Sequence, residues 1–253
     1  MYKLLLERFR QGHRTAPYPK QAPVLPDRFR GLPVIDPGRC PPGCGVCVSA
    51  CPTGAIAIDG QGPQVDLGRC LFCPDCAEAC PEGAIRCGPD HRLSANTRDD
   101  LITRGRDPLL AKALEKRLRR LFGRSLKLRQ VSAGGCNGCE SDINVLGTLV
   151  FDLGRFGIQM VASPRHADGL IVTGPVTENM RQALLKTYEA LSEPRIVIAV
   201  GACAISGGPF ANRPETHDGV AGLLPVDLFI PGCPPHPYTI LDGLLRLLGR
   251  LEA

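Results

Sequence analysis

Gly134-Gly135-Cys136-Asn137-Gly138-Cys139-Glu140 sits just past the middle of the 253-residue chain. It holds two thiols two residues apart in a glycine-rich turn, with a carboxylate directly after. Upstream, residues 126–131 read as a strand running into the turn. Downstream, Ile143, Leu146, Val150 and Leu153 fall on one helical face. The alternation then repeats. Residues 157–162 read as a second strand. Gly169–Thr173 (GLIVT), apolar and β-branched, reads as a third that ends at Gly174-Pro175. Thr177 is placed to cap a helix carrying Met180, Leu184 and Leu191. Residues 195–200 (RIVIAV) form a fourth expected strand, ending at Gly201-Ala202-Cys203. Residues 226–230 form a fifth, ending at Pro231-Gly232-Cys233-Pro234-Pro235. A last helix is expected from about residue 238 to 251, with Leu241, Leu244, Leu245 and Leu248 inward.

Strands that alternate with helices predict an α/β domain over 125–253, a flavodoxin-like, doubly wound parallel sheet. Ligands of such sheets bind at the carboxyl ends of the strands. Cys136, Cys139, Cys203 and Cys233 all fall there, so these four thiols are expected to hold one [4Fe-4S] cluster. The glycines and prolines beside them let backbone come close and offer N–H groups to the sulfurs.

Between residues 36 and 92 the chain repeats itself. GRCPPGCGVCVSACPTGAIAI from Gly38 matches GRCLFCPDCAEACPEGAIRC from Gly68. The second copy is C-x2-C-x2-C-x3-C-P, the run of bacterial two-cluster ferredoxins. Three closely spaced thiols wrap one face of a cuboidal cluster, and the fourth, after a short helical turn, points to the other cluster. The expected sets are therefore Cys40, Cys44, Cys47 and Cys80 for one cluster, and Cys70, Cys73, Cys76 and Cys51 for the other. The first copy departs from the pattern by one inserted residue between Cys40 and Cys44. Structural zinc is the rival reading, but zinc draws on separated C-x2-C pairs rather than a duplicated eight-cysteine run. Cys87 has no counterpart in the repeat and is expected to be a spare buried thiol.

Residues 93–124 turn rich in Arg, Asp and Leu. Asp107-Pro108 reads as a helix start. Leu110, Leu114, Leu118 and Leu121 then make an apolar stripe against Lys112, Lys116, Arg117, Arg119 and Arg120, a basic helical linker. Residues 1–35 read as an arm. A short amphipathic helix over 1–9 precedes Pro17, Pro19, Pro23, Pro26 and Pro33, which forbid regular helix. The arm is expected either as a solvated tail or as a strip laid on a partner, with its helix near a membrane surface.

The chain has 13 cysteines, no Trp and only 5% aromatic residues. A base-stacking nucleic-acid platform is not expected. The first residues, MYKLLLERFRQ, hold too short an apolar run for an export signal, and no run is long enough to span a bilayer. Thiols in such a chain point to metal rather than disulfides. The formal charge is +5. Three [4Fe-4S] clusters, each about −2 with its thiolates, would leave the loaded chain at about −1.

The motifs GGCNGCE, SPRHADGLIVTGPVTENM (from Ser163), GACAISGG (from Gly201) and PGCPPHP (from Pro231) resemble the small subunit of membrane-bound, energy-converting [NiFe] hydrogenases of the formate hydrogenlyase type. That family is related to the respiratory complex I subunit that carries the terminal cluster. Complex I has two adjacent cysteines where this chain has Cys136-x2-Cys139, the hydrogenase-like spacing. YPKQAP (from Tyr18) and FRGLPVID (from Phe29) are similar to the two-cluster ferredoxin subunit of the same complexes, so the chain looks like a fusion of two neighbours. The carboxyl-terminal Fe–S domain of exported uptake hydrogenases is not expected in it.

The resemblance implies an oxidoreductase subunit that relays electrons between a donor module and the Ni–Fe centre of a partner, through three [4Fe-4S] clusters. The implied partners are a [NiFe] hydrogenase-like large subunit, integral membrane subunits, and a donor such as a formate dehydrogenase, a carbon monoxide dehydrogenase or ferredoxin. No nucleic acid is implied. The implied location is cytoplasmic, peripheral on the inner face of the cell membrane. Glu140 is implied as a proton relay, against the plainer reading of a carboxylate at a helix N-terminus. Arg165 or His166 is a candidate to lie near the cluster or the interface. The rival functions are the equivalent subunit of a complex I-like quinone oxidoreductase and a free-standing Fe–S electron carrier.

Overall fold

A computed structural model of the protein describes residues 2–60, 62–104, 108–123 and 125–251. Helix α1 (Tyr2–Gln11) leads the chain. The repeat region follows as β1 (Pro33–Ile35), α2 (Val46–Ala50), β2 (Ile56–Asp59), β3 (Gly62–Asp66), α3 (Asp75–Ala79), β4 (Ile85–Cys87) and β5 (Ile102–Thr103). β1 pairs antiparallel with β4, and β2, β3 and β5 make a second small antiparallel sheet. The two copies of the repeat each contribute one five-residue helix, α2 and α3, immediately before its fourth cysteine.

Helix α4 (Lys116–Phe122) connects to the second region. There the order is β6 (Leu126–Ser132), α5 (Gly138–Val145), β7 (Ile158–Met160), β8 (Gly169–Thr173), α6 (Glu178–Glu189), β9 (Ile196–Val200), α7 (Ala202–Ser206), β10 (Leu228–Ile230) and α8 (Pro237–Leu247). The sheet runs β10-β9-β8-β6-β7, parallel throughout. Counted from β6, that is the 2-1-3-4-5 order of flavodoxin-like folds, with its switch point between β6 and β8.

Every residue of β8 and of β9 is buried, as apolar strands covered on both faces require. On one face Leu128, Ile171 and Ile198 pack against Ile240, Leu241 and Leu244 of α8. On the other, Val131, Leu170, Val172 and Val197 share a single apolar cluster with Leu32, Ile56, Leu67 and Leu101 of the repeat region. The two regions are therefore joined by a common core. Helix α8 is buried on nearly all sides, and its Asp242 and Arg246 neutralise each other there at 2.8 Å.

Three expectations need correction. The linker helix is confined to α4. Asp107 lies outside the described residues, and from Pro108 the backbone is irregular. Ala111 N–H bonds the Ser94 carbonyl, Lys112 N–H the Asn96 side chain and Leu114 N–H the Leu247 carbonyl. These tertiary partners replace the i→i−4 bonds a helix would need, and Leu121 is left exposed. The helix after the cysteine turn ends at Val145, so Val150 is half exposed while Ile143, Leu146 and Leu153 are buried. The arm is not a free tail, because residues 16–18 are fastened to the sheet region. Ala16 N–H bonds the Val150 carbonyl, Arg155 donates to the Tyr18 carbonyl, and the buried Tyr18 donates its hydroxyl to Asp242 at 2.8 Å. Helix α1 stands clear, with Tyr2, Leu4, Leu5 and Phe9 exposed, and Val24 is exposed too.

Candidate iron–sulfur sites

In the repeat region, one cavity is lined by Cys40, Cys44, Cys47 and Cys80, with Ile35, Pro63 and Ile85 among its other walls. A second is lined by Cys51, Cys70, Cys73 and Cys76, with Ile56 and Val65. The fourth thiol of each copy thus sits with the first three of the other. The geometry follows from α2 and α3, which carry the chain away from its own three thiols before the proline. The copies match in detail. Ala55 N–H points to Cys51 Sγ at 3.2 Å and Ala84 N–H to Cys80 Sγ at 3.2 Å, four residues on in each case.

The third group forms at the carboxyl edge of the parallel sheet. Cys136 and Cys139 follow β6, Cys203 lies in α7 just after β9, and Cys233 follows β10. Each of Cys136, Cys203 and Cys233 is close enough to make Cys139 harder to ionise. Gly201 shows how tight the approach is. Its φ of +90° suits glycine, and a Cβ there would lie 2.5 Å from Cys139 Sγ.

The thiol chemistry fits iron–sulfur clusters. Burial pushes Cys70 up to about 12, and Cys76 and Cys203 up to about 11. Burial drives Cys139 in the same direction, with Glu140 and the other three thiols adding to it. Buried soft donors such as these need a cationic centre to hold them as thiolates. Among the described residues, no three His, Cys, Asp or Glu side chains are gathered as a single-ion site. Four thiols set around a cavity suit a cuboidal cluster instead.

Glu140 is buried at 5% exposure. Its Oε1 accepts from the hydroxyls of Ser132 and Thr173, both at 2.6 Å. Burial opposes its ionisation, but the two hydroxyls and its own backbone N–H outweigh it and hold the carboxyl below the usual glutamate value. Ser132 and Thr173 are paired neighbours at the ends of β6 and β8. The only signal for them in the sequence is a hydroxyl at the last position of each strand. Arg165 and His166 are exposed and precede β8. They therefore lie at the amino edge of the sheet, opposite the thiols, and are not near the site.

The second group neighbours both of the others. Cys47 of the first lies near enough to Cys76 of the second, and Cys73 of the second to Cys233 of the third, for each pair to oppose the other's ionisation. Cys87, half buried rather than buried, lies beside Cys73 and Cys76. A seam holds the second and third groups together. Ser206 Oγ, at the end of α7, donates to the Gly68 carbonyl at 2.8 Å, and Asn96 donates to the Asp227 carbonyl at 3.0 Å. An open groove runs along this junction, lined by Arg30, Leu71, Phe72, Cys233 and His236.

The profile of the NADH ubiquinone oxidoreductase 20 kDa subunit matches residues 136–247, and that of the 4Fe-4S dicluster domain matches residues 33–84. The chain is 45% identical to a probable membrane-bound hydrogenase subunit of Pyrococcus furiosus, over 55% of this chain and 86% of that one. It is 46% identical to formate hydrogenlyase subunit 7 of Escherichia coli, over 51% of each. It is also 44% identical to an NADH-quinone oxidoreductase subunit of Carboxydothermus hydrogenoformans, over 45% of this chain and 69% of that one. On that extent of likeness the chain belongs to the family of the NADH ubiquinone oxidoreductase 20 kDa subunit, with a 4Fe-4S dicluster domain ahead of it.

Proposed function

We propose that the chain is the electron-transfer subunit of a membrane-bound [NiFe] hydrogenase complex, with three [4Fe-4S] clusters. Their ligands would be Cys40, Cys44, Cys47 and Cys80; Cys51, Cys70, Cys73 and Cys76; and Cys136, Cys139, Cys203 and Cys233. The observation that carries this reading is the gathering of twelve thiols into three groups of four, the second group near both of the others. Bound there, the clusters supply one-electron carriers. The protein's own part is to fix their order, to wall them with apolar side chains, and to leave the Cys136 and Cys233 end open to a partner, where both thiols are exposed.

That partner is proposed to be the large subunit holding the Ni–Fe centre, with a donor module at the Cys40 end and integral membrane subunits alongside. The basic, apolar α1 would rest at the inner membrane face; among the described residues no helix is long and apolar enough to cross it. Glu140 is proposed as a proton relay. Its hydrogen bonds from the Ser132 and Thr173 hydroxyls are the polar contacts such a relay would use.

The second reading, a complex I-like quinone oxidoreductase subunit, draws on the likeness to the Carboxydothermus NADH-quinone oxidoreductase. Anaerobic purification under mild detergent, with metal assay and partner identification, separates the readings. About twelve irons per chain and a nickel-bearing partner with two C-x2-C pairs support the first. A partner without those pairs shifts the reading to the second. A colourless zinc protein sinks both.

A further inference from the structure

The arm touches two of the three sites within four residues. The Phe29 ring meets the His236 imidazole edge-on, 5.3 Å between centroids, just beyond Cys233. Arg30 donates from Nε to the Phe72 carbonyl at 2.7 Å. Gly31 N–H then bonds the Gly88 carbonyl, and Leu32 N–H the Asp90 carbonyl, both at 2.9 Å. Those bonds tie the arm to the strand that ends in Cys87.

Phe72 is the unusual residue in this arrangement. Its φ is +54°, a left-handed conformation that bulky side chains disfavour. The left-handed turn sends its N–H back toward Cys70 Sγ at 3.3 Å. Its ring is buried, and Arg30 holds its carbonyl from outside. A guanidinium stays charged at any working pH. Here it lines the junction groove with Leu71, Phe72 and Cys233, and it lies close enough to Cys87 to offset part of the burial effect on that thiol.

We propose that Arg30 is a positioning residue of the second thiol site, which clamps the Cys70–Cys73 turn and favours the reduced form of a cluster held there. The inference rests on the electron-transfer reading given above. A fixed positive charge stabilises the more negative redox state, and net charge and hydrogen bonds to sulfur are the protein's levers on cluster potential. The clamp comes from the arm rather than from the cysteine run, so the two copies of the repeat need not share one potential.

The test is a potentiometric titration followed by electron paramagnetic resonance, on the full chain loaded anaerobically with iron and sulfide. Signals are assigned to the second and first sites by their loss in Cys73→Ser and Cys44→Ser. Arg30→Gln keeps a polar side chain without the charge. It is expected to lower the second-site midpoint by up to tenfold in the reduced-to-oxidised ratio, about 59 mV for a one-electron couple. The first-site midpoint is expected to stay in place, and Arg30→Lys to stay near wild type. An unmoved second-site potential in Arg30→Gln, an equal shift at the first site, or an equal shift in Arg30→Lys overturns the proposal. If Arg30→Gln fails to retain iron at the second site, Arg30→Lys decides. Retained iron at the wild-type potential upholds the role, and lost iron overturns it. Absence of any cluster signal in the wild-type chain would sink the electron-transfer reading as well; clear signals without the differential shift sink this inference alone.

Discussion

The repeat region and the parallel-sheet region gather their thiols in opposite ways. In the repeat, chain-local spacing and two five-residue helices deliver the thiols. Neither helix has a buried residue, and Cys47, Cys51, Cys70, Cys76 and Cys80 themselves pack against the apolar cluster. In the sheet region the thiols come from three strand ends far apart in sequence, set on a core that β8, β9 and α8 already complete. The contrast suggests that a cluster is part of the fold in the first region and is carried by the fold in the second.

Iron removal tests that contrast most directly. Chelation is expected to cost residues 33–87 about two orders of magnitude or more of amide-exchange protection, because metal binding there is folding energy. The amides of β8 and β9 should keep theirs. Equal losses in both regions would erase the distinction. Comparable in size is Asp242→Ala, which removes the carboxylate that pairs with Arg246 on the buried side of α8. It is expected to cost about 3–5 kcal/mol in denaturant unfolding of the sheet region, with iron retained in the repeat. Iron loss from the repeat at the same step would mean that the shared core, not the thiols, governs both.

Gly201→Ala should cost about 1–3 kcal/mol from the backbone conformation. Its new Cβ should also displace Cys139, so that about four of twelve irons are lost while the stability of the repeat is unchanged. A full complement of iron in that variant would show the sheet edge to be softer than its geometry implies. The smallest expected effect is in pH. Burial holds His91 below its ordinary 6.5, with Asp242 and Asp90 pulling upward against it and Arg92 and Arg246 adding to the depression. The unfolded chain therefore binds a proton as pH falls through about 6.5 while the folded chain does not. Stability is full above that value and declines below it until the folded group titrates. Unfolding measured from pH 7.5 to 5.5, about a unit either side of the ordinary histidine pKa, should show a shallower slope in His91→Gln.

Much of this was legible wherever information is local. The bounds of β8 stand as the apolar pattern implies, and the exchange of fourth thiols between the copies follows from a three-residue helical spacer before a proline. What the sequence hides depends on topology. The leucine stripe from Leu110 reads as one helix until Ser94, Asn96 and Leu247 claim its backbone. Arg165 and His166 share a motif with β8, yet the strand's direction puts them at the wrong edge. Ser132 and Thr173 become partners of Glu140 only once β6 and β8 are neighbours. Arg30 gives no signal at all, because its partner is a backbone carbonyl 42 residues away.

The polar seam of Ser206 on Gly68 and Asn96 on Asp227 is slight, and most of the contact between the two regions is the apolar cluster they share. Between two freely diffusing proteins the same contact would form only by an encounter dependent on concentration. Covalent continuity through α4 makes the docking unimolecular, at an effective concentration in the millimolar range for a short connection. The stoichiometry of the two regions is then fixed at one to one, and no step between them slows when the protein is dilute.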